Sequence, residues 1–175
     1  MPSPVGHALA GISAGWLVDR PGTVARTVVF GLAGIAADVD LLFGAHSGPT
    51  HGLGAAVIAG ILVAAVSSVR LRAEATRSAK EGALRFAGAV MAAYASHTLL
   101  DWLGTDLSPP IGIMALWPFS RDYYESRLHV FMAISRRYWL PEFWTYNLRA
   151  LVRELVILLP LVAAVVLFRR RAGRA

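Results

Sequence analysis

Four of the five histidines and three aspartates sit in or beside apolar blocks, grouped at spacings that suit a metal ion. His7 follows Gly6 near the start. Asp38-Val39-Asp40 closes a second block. His46-Ser47-Gly48-Pro49-Thr50-His51 forms a turn, and Ser96-His97-Thr98-Leu99-Leu100-Asp101 ends a later block. There is no cysteine, which excludes disulfides and thiolate ligands. An ion must then be held by imidazole and carboxylate, which favours zinc, manganese, iron or magnesium over soft-metal chemistry.

The local physics of these positions asks for a cation. Asp38, Asp40 and Asp101 fall near the C-terminal ends of apolar stretches, where the helix dipole disfavours negative charge. A carboxylate in apolar surroundings is costly without a partner. His7 and His51 fall near N-terminal ends, where imidazolium is disfavoured and the neutral, metal-binding form is favoured. His97 and Asp101 are four residues apart, so a helix presents both on one face. Each residue alone has a plainer explanation: a hydrogen-bonded structural histidine, an aspartate capping a turn, an ion pair from Asp101 to Arg121. The convergence of seven such residues points to metal. His129 fits no pattern and reads as structural.

The elements that must position these residues are apolar. Hydrophobic residues make up 56% of the 175-residue chain and charged residues only 16%, against about 25% charged in soluble domains. Five stretches stand out, at about 5–18, 24–43, 51–69, 86–104 and 152–168; several approach the ~20 residues needed to cross a bilayer. Backbone in lipid must satisfy its own hydrogen bonds, so the stretches are predicted to be helices. Pro21-Gly22 and Gly48-Pro49 separate the first three. The expected fold is all-α: a polytopic membrane helical bundle of about five transmembrane helices forming one domain over 1–175.

Charge orients the bundle. Net charge is +6, and 16 of the 17 basic residues are Arg. Eleven of the 17 lie in three connections: Arg20 and Arg26; Arg70, Arg72, Arg77, Lys80 and Arg85; and Arg169, Arg170, Arg171 and Arg174. Short basic clusters between apolar blocks read as membrane orientation, not as a nucleic-acid surface. The positive-inside rule puts all three clusters and the C-terminus in the cytoplasm. With five spans, the N-terminus, the 44–50 turn and the segment 105–150 then lie outside. Every histidine and aspartate of the set lands at an outer helix end, although none was used to set the topology. Eleven of the 17 aromatics lie between Trp102 and Tyr146, as expected for a segment along the outer membrane interface. No charged leader with a cleavage site opens the chain.

Taken in order, Gly6-His7, Asp38-x-Asp40, the H-x-G-x-T-H-like run over 46–51, Ser96-His97 with Asp101, and Leu116-Trp117-Pro118-Phe119 resemble the membrane-bound metal-dependent hydrolases of the YdjM-like, LexA-regulated inner-membrane group. The resemblance covers roughly 6–120 and rests on the order and spacing of the motifs together. It implies a bacterial inner-membrane, multi-pass hydrolase. The group's His/Asp pattern is similar to that of zinc-dependent phospholipase C enzymes, which suggests phosphoester substrates. Two positions depart from the pattern: Ser47 stands where a basic residue is usual, and Gly52 where a serine is. Glu154 matches a family carboxylate near the outer end of the last helix.

The expected activity is therefore metal-assisted hydrolysis at the extracytoplasmic face, on a phosphoester of a lipid or lipid-linked substrate drawn from the bilayer. His7, Asp38, Asp40, His46, His51, His97 and Asp101 form the ligand pool for a divalent metal, zinc first. Seven ligands exceed one tetrahedral site, so two ions are plausible. Asp40, with Glu154, is expected to serve catalysis, Asp40 as general base. The alternative is a non-enzymatic membrane metal transporter or sensor. A transporter should carry ligands near the midplane, whereas these cluster at helix ends.

Overall fold

A computed structural model describes residues 1–44, 46–71 and 76–172. Arg72 and Arg174, counted in the basic clusters, lie outside the described residues. Five α-helices follow one another: α1 (Pro4–Val18), α2 (Val24–Ile35), α3 (Leu53–Arg70), α4 (Arg77–Leu103) and α5 (Phe143–Ala172). Their order matches the five apolar stretches. Two of the described helices, α3 and α5, are long and apolar enough to cross a membrane. Only 11% and 17% of their apolar windows are buried, so these are not the core helices of a soluble protein.

The remaining stretches differ from expectation in instructive ways. The second is not one helix over 24–43: α2 stops at Ile35, and Ala36–Phe43 continues as a tighter 3-10 helix ended by left-handed Gly44 at φ 71°. At 1.5 Å per residue the 12 residues of α2 span about 18 Å, well short of the ~30 Å hydrocarbon core. The fourth stretch belongs to a 27-residue helix that begins at Arg77, so its first turns carry Arg77, Lys80, Glu81 and Arg85. The last helix begins at Phe143 instead of 152, two residues after Pro141, which limits the segment outside the helices to 104–142.

Helix α1 is the hub, packing on α2, α4 and α5, while α3 and α4 pack together as an antiparallel pair. Its contact with α2 is backbone against backbone. A Cβ on Gly11 would stand 2.5 Å from the Phe30 carbonyl oxygen and 2.8 Å from the Gly34 Cα. Small residues let apolar helices approach this closely, where dispersion and weak polar contacts replace the hydrophobic effect. Phe30, Ala33, Ala89, Val90 and Ala93 fill the space beyond.

The bundle has two chemically distinct ends. At one, Arg26 pairs with Asp19 at 2.6 Å, and Arg169 of α5 donates to the carbonyls of Trp16 (2.8 Å) and Val18 (2.9 Å) at the end of α1. Those bonds satisfy carbonyls that the last turn of a helix leaves open. At the other end lie His7, the aspartates, His51, His97 and Asp101.

Segment 104–142 covers this second end. It has no regular strand among its described residues, only isolated bridges pairing Gly104 with Phe131 and Ile113 with Tyr124. Ile113 and Phe131 are buried within it, while Phe119, Tyr138 and Trp139 are exposed. The Leu116-Trp117-Pro118-Phe119 stretch has a clear structural task. The Leu53 and Gly54 amides donate to the carbonyls of Ala115 and Trp117, both at 2.9 Å, which caps the start of α3 just after His51.

Candidate metal centre

Helix α1 contributes His7, one turn in. Its start is fixed by Ser3, whose hydroxyl accepts from the Gly6 amide at 3.1 Å, and by Pro4 in the first turn. Helix α4 contributes His97 and Asp101. The 3-10 helix after α2 contributes Asp38 and Asp40, and the Pro49–His51 turn contributes His51. His51 is pinned from both sides: Thr98 donates to its carbonyl at 2.7 Å, and Tyr94 donates to the preceding Thr50 carbonyl at 2.8 Å.

These groups converge. Asp101 takes His7 Nε2 at 3.2 Å on Oδ1, with His97 Nε2 at 3.1 Å and His51 Nε2 at 3.5 Å on Oδ2. Asp38 Oδ1 lies 3.6 Å from His51 Nε2 and 3.7 Å from His97 Nε2. The His7 and His97 rings stack with centroids 3.7 Å apart. His7, His51, His97 and Asp101 are essentially inaccessible to solvent. Asp101 pairs with these histidines and with no arginine among the described residues.

What makes the cluster a candidate cation site is what remains unsatisfied. His51 Nε2, His97 Nε2, both Asp101 oxygens, Asp40 Oδ1 and both His46 nitrogens are buried with no hydrogen-bond partner among the described residues. Buried polar atoms are almost always paired, and a site that leaves this many open in one place fits a ligand that pairs them together. Three donor groups meet the geometric requirement: His7, Asp38 and His97; Asp38, His46 and His51; and His51, His97 and Asp101, with ligand atoms within 4.8 Å of one another in each. They overlap at Asp38, His51 and His97, so they form one continuous cluster.

The surrounding bonds set the imidazoles for this task. His97 Nδ1 lies 2.8 Å from the Gly34 carbonyl oxygen. A carbonyl only accepts, so Nδ1 carries the hydrogen and the Nε2 lone pair faces Asp38 and Asp101. Asp40 Oδ2 lies 3.3 Å from His51 Nδ1 and accepts from the Thr50 hydroxyl at 3.0 Å, which presents His51 Nε2 to the cluster. Burial alone would lower the His51 pKa. The carboxylates of Asp38, Asp40 and Asp101 gathered around its ring push it up to about 9 instead.

Six of the seven expected ligands fall in the donor groups. Asp40 does not, sitting behind His51 with its Oδ1 3.6 Å from His46 Nδ1. Glu154, expected to share in catalysis, is placed elsewhere. It is fully buried on α5, where it accepts from the Ser3 amide at 2.7 Å and from the Ser3 hydroxyl. Among the described residues it pairs with none of the histidines; its contact is with the start of the helix that carries His7. His129 is exposed and lies 4.0 Å from Glu125, apart from the cluster. Sequence reading missed the residues that hold the ligands, namely Gly34, Thr50, Tyr94 and Thr98. The Gly11-x-x-x-Gly15 spacing in an apolar helix was the available signal for the α1–α2 contact. The hydroxyl partners have no sequence signature.

Searches of curated proteins and of solved structures each gave no match. A family model does match, over residues 1–173, nearly the whole chain. With the apolar helices and the motif order, that match decides the matter: the chain belongs to the YdjM inner membrane protein family.

Proposed function

We propose that the protein is a multi-pass, metal-dependent hydrolase of the inner membrane that cleaves a phosphoester of a lipid or lipid-linked substrate at the extracytoplasmic face. The observation that carries the reading is the set of buried imidazole nitrogens and carboxylate oxygens that converge without hydrogen-bond partners. His7, Asp38, His46, His51, His97 and Asp101 would hold the metal, with zinc the best fit to a donor set of imidazole and carboxylate. A divalent ion in such a site polarises a phosphoryl oxygen and makes water acidic enough to react near neutral pH.

The chain's own residues supply the rest. Gly34 and Asp40 fix the orientation of His97 and His51 from behind. Asp40 lies outside the donor groups and keeps Oδ1 without a partner, which suits it to accept the proton of the attacking water and pass it to the departing ester oxygen. Segment 104–142, resting over the site, limits its exposure to bulk water. Ser3 and Glu154 act on position, by anchoring the N-terminus of α1 and with it His7.

Purified protein reconstituted with zinc or manganese is expected to hydrolyse a phospholipid or polyprenyl phosphate in a chelator-sensitive reaction. Asp40→Asn should lower kcat by about 10²-fold or more even at saturating metal, while weakening metal binding by about 10-fold or more through its loosened hold on His51. Metal-loaded protein inert across such a panel would favour a metal transporter or sensor instead.

The two-ended bundle supports an orientation when combined with the placement of its arginines. The Arg26 and Arg169 end is assigned to the cytoplasm by the positive-inside rule, the histidine end to the outside. The absence of cysteine makes this directly measurable. In intact cells with permeabilised outer envelopes, a membrane-impermeant thiol reagent should label Phe119→Cys but not Lys80→Cys. The opposite pattern would invert the topology and place the site in the cytoplasm.

A further inference from the structure

The candidate metal centre opens at one place. The side chains of His7, His51, His97 and Asp101 are at most 1% exposed, whereas those of Asp38 and His46 are 23% and 20% exposed and lie 4.0 Å apart. Whatever reaches the centre from outside arrives past these two. Segment 104–142 brings an arginine to this mouth. Ser135 is clamped to α5: its amide donates to Asn147 Oδ1 at 2.8 Å, and its carbonyl accepts from Asn147 Nδ2 at 3.0 Å. The Ile134 amide donates to the Met1 carbonyl at 3.1 Å, and the Met1 sulfur lies 3.7 Å from the Ser47 hydroxyl, next to His46. The chain before Arg136 is thereby fixed alongside the turn that carries His46. Arg136 itself is exposed and forms no ion pair among the described residues, where the arginine pairs are Arg26 with Asp19 and Arg77 with Glu81. Its charge is felt at the mouth. Burial first, then His51 and the Arg136 guanidinium, hold the His46 pKa below its ordinary value against the pull of Asp40 and Asp101.

A permanent cation beside a cation site needs a physical reason. Arg136 stays ionised at any working pH, and it repels a divalent ion held by Asp38 and His46. An anion seated between the guanidinium and the ion removes the repulsion by pairing with both. We infer that Arg136 binds the phosphate group of the substrate at the mouth of the centre, taking one non-bridging oxygen while the metal takes another. The inference rests on the phosphoester reading of the site and adds to it the residue that selects an anionic substrate. A guanidinium fork matches two phosphate oxygens, an arrangement that a neutral ester or amide does not offer. Arg136 is in this sense a specificity determinant, with a signature that a purely structural residue lacks: its removal weakens the anion and spares the metal.

The test uses the zinc-loaded full chain in nanodiscs, titrated by calorimetry with inorganic phosphate and, separately, with a soluble short-chain phosphatidic acid. Both should bind. Arg136→Gln should weaken them by about 10- to 100-fold, the scale of a lost charge-assisted hydrogen bond. Zinc affinity should equal wild type or exceed it, because a repelling charge is gone. Arg136→Lys keeps the charge without the fork and should fall between. Weakening of phosphatidic acid alone would assign the mouth to a lipid headgroup, and weakening of inorganic phosphate alone to a soluble ester; either upholds the contact. The inference is overturned if wild type binds neither probe, or if Arg136→Gln binds both as wild type does. It is overturned too if that variant loses zinc and phosphate together, as a structural residue would. Because binding needs no turnover, the two readings fail separately. Arg136-dependent phosphate binding in a protein that hydrolyses nothing keeps the anion contact and removes the hydrolase. Hydrolysis at wild-type kcat/KM in Arg136→Gln keeps the hydrolase and removes the contact.

Discussion

The double variant His97→Ala, Asp101→Asn is expected to lose its metal while remaining a folded membrane protein. Asp101 touches three histidines, at 3.1 to 3.5 Å, and His97 lies within reach of both Asp38 and Asp101. Removing the pair takes members from two of the three donor groups and leaves only Asp38, His46 and His51 as a complete one. Loss of a residue that merely orients a ligand typically weakens metal binding 10–100-fold, so loss of two ligands should exceed about 100-fold. Fold should survive, because a carboxylate that is buried only to meet a cation is a liability once the cation is gone, and an amide there is the milder group. The measurement is metal per protein by elemental analysis after gel filtration, alongside helicity by circular dichroism. A folded double variant carrying wild-type metal would show that His97 and Asp101 form only a structural hydrogen bond.

The legible part of this site was chemical, and the obscure part was steric. His7, Asp38, His51, His97 and Asp101 were readable because each is an ionisable residue where the bilayer and the helix dipole make one unwelcome, and arginine placement sorted them independently onto one end. The His97–Asp101 pair followed from helical spacing alone. Asp38 and Asp40 were found as residues, but the 3-10 geometry that divides them was not. The tighter turn places Asp38 within the candidate donor groups and Asp40 behind His51, a distinction that an Asp-x-Asp spacing does not encode. Glu154 shows the opposite limit. A carboxylate at the right depth in the bundle looked like part of the site, yet its partner is Ser3, 151 residues away in sequence. The aromatics of segment 104–142 prompted an interfacial reading, but its role in capping α3 runs through backbone amides, which every residue possesses and no sequence pattern marks.

That steric layer yields the second large effect: Gly34→Ala is expected to disable the centre although residue 34 offers no ligand atom. Gly34 does two things at once. Its carbonyl oxygen accepts from His97 Nδ1 at 2.8 Å, and its bare Cα lets α1 lie against α2. A methyl group at 34 would run into the His7 carbonyl oxygen and the Gly11 Cα, both of them backbone, so neither can swing aside as a side chain would. The helices must separate, and separation carries His7 away from Asp101 while it pulls the carbonyl from His97. Overpacking of this kind costs about 1–3 kcal/mol, more than the ~1 kcal/mol that replacing a helical glycine by alanine ordinarily returns. The expected result is a lower melting temperature together with at least about tenfold weaker metal binding, the scale of losing an orienting partner. Gly82→Ala is the control: it lies in α4 with open space where its methyl would go, and should leave metal binding unchanged and stability equal or slightly higher. Should Gly34→Ala match wild type in both metal affinity and melting temperature, the α1–α2 contact is not what holds His7 and His97 in register.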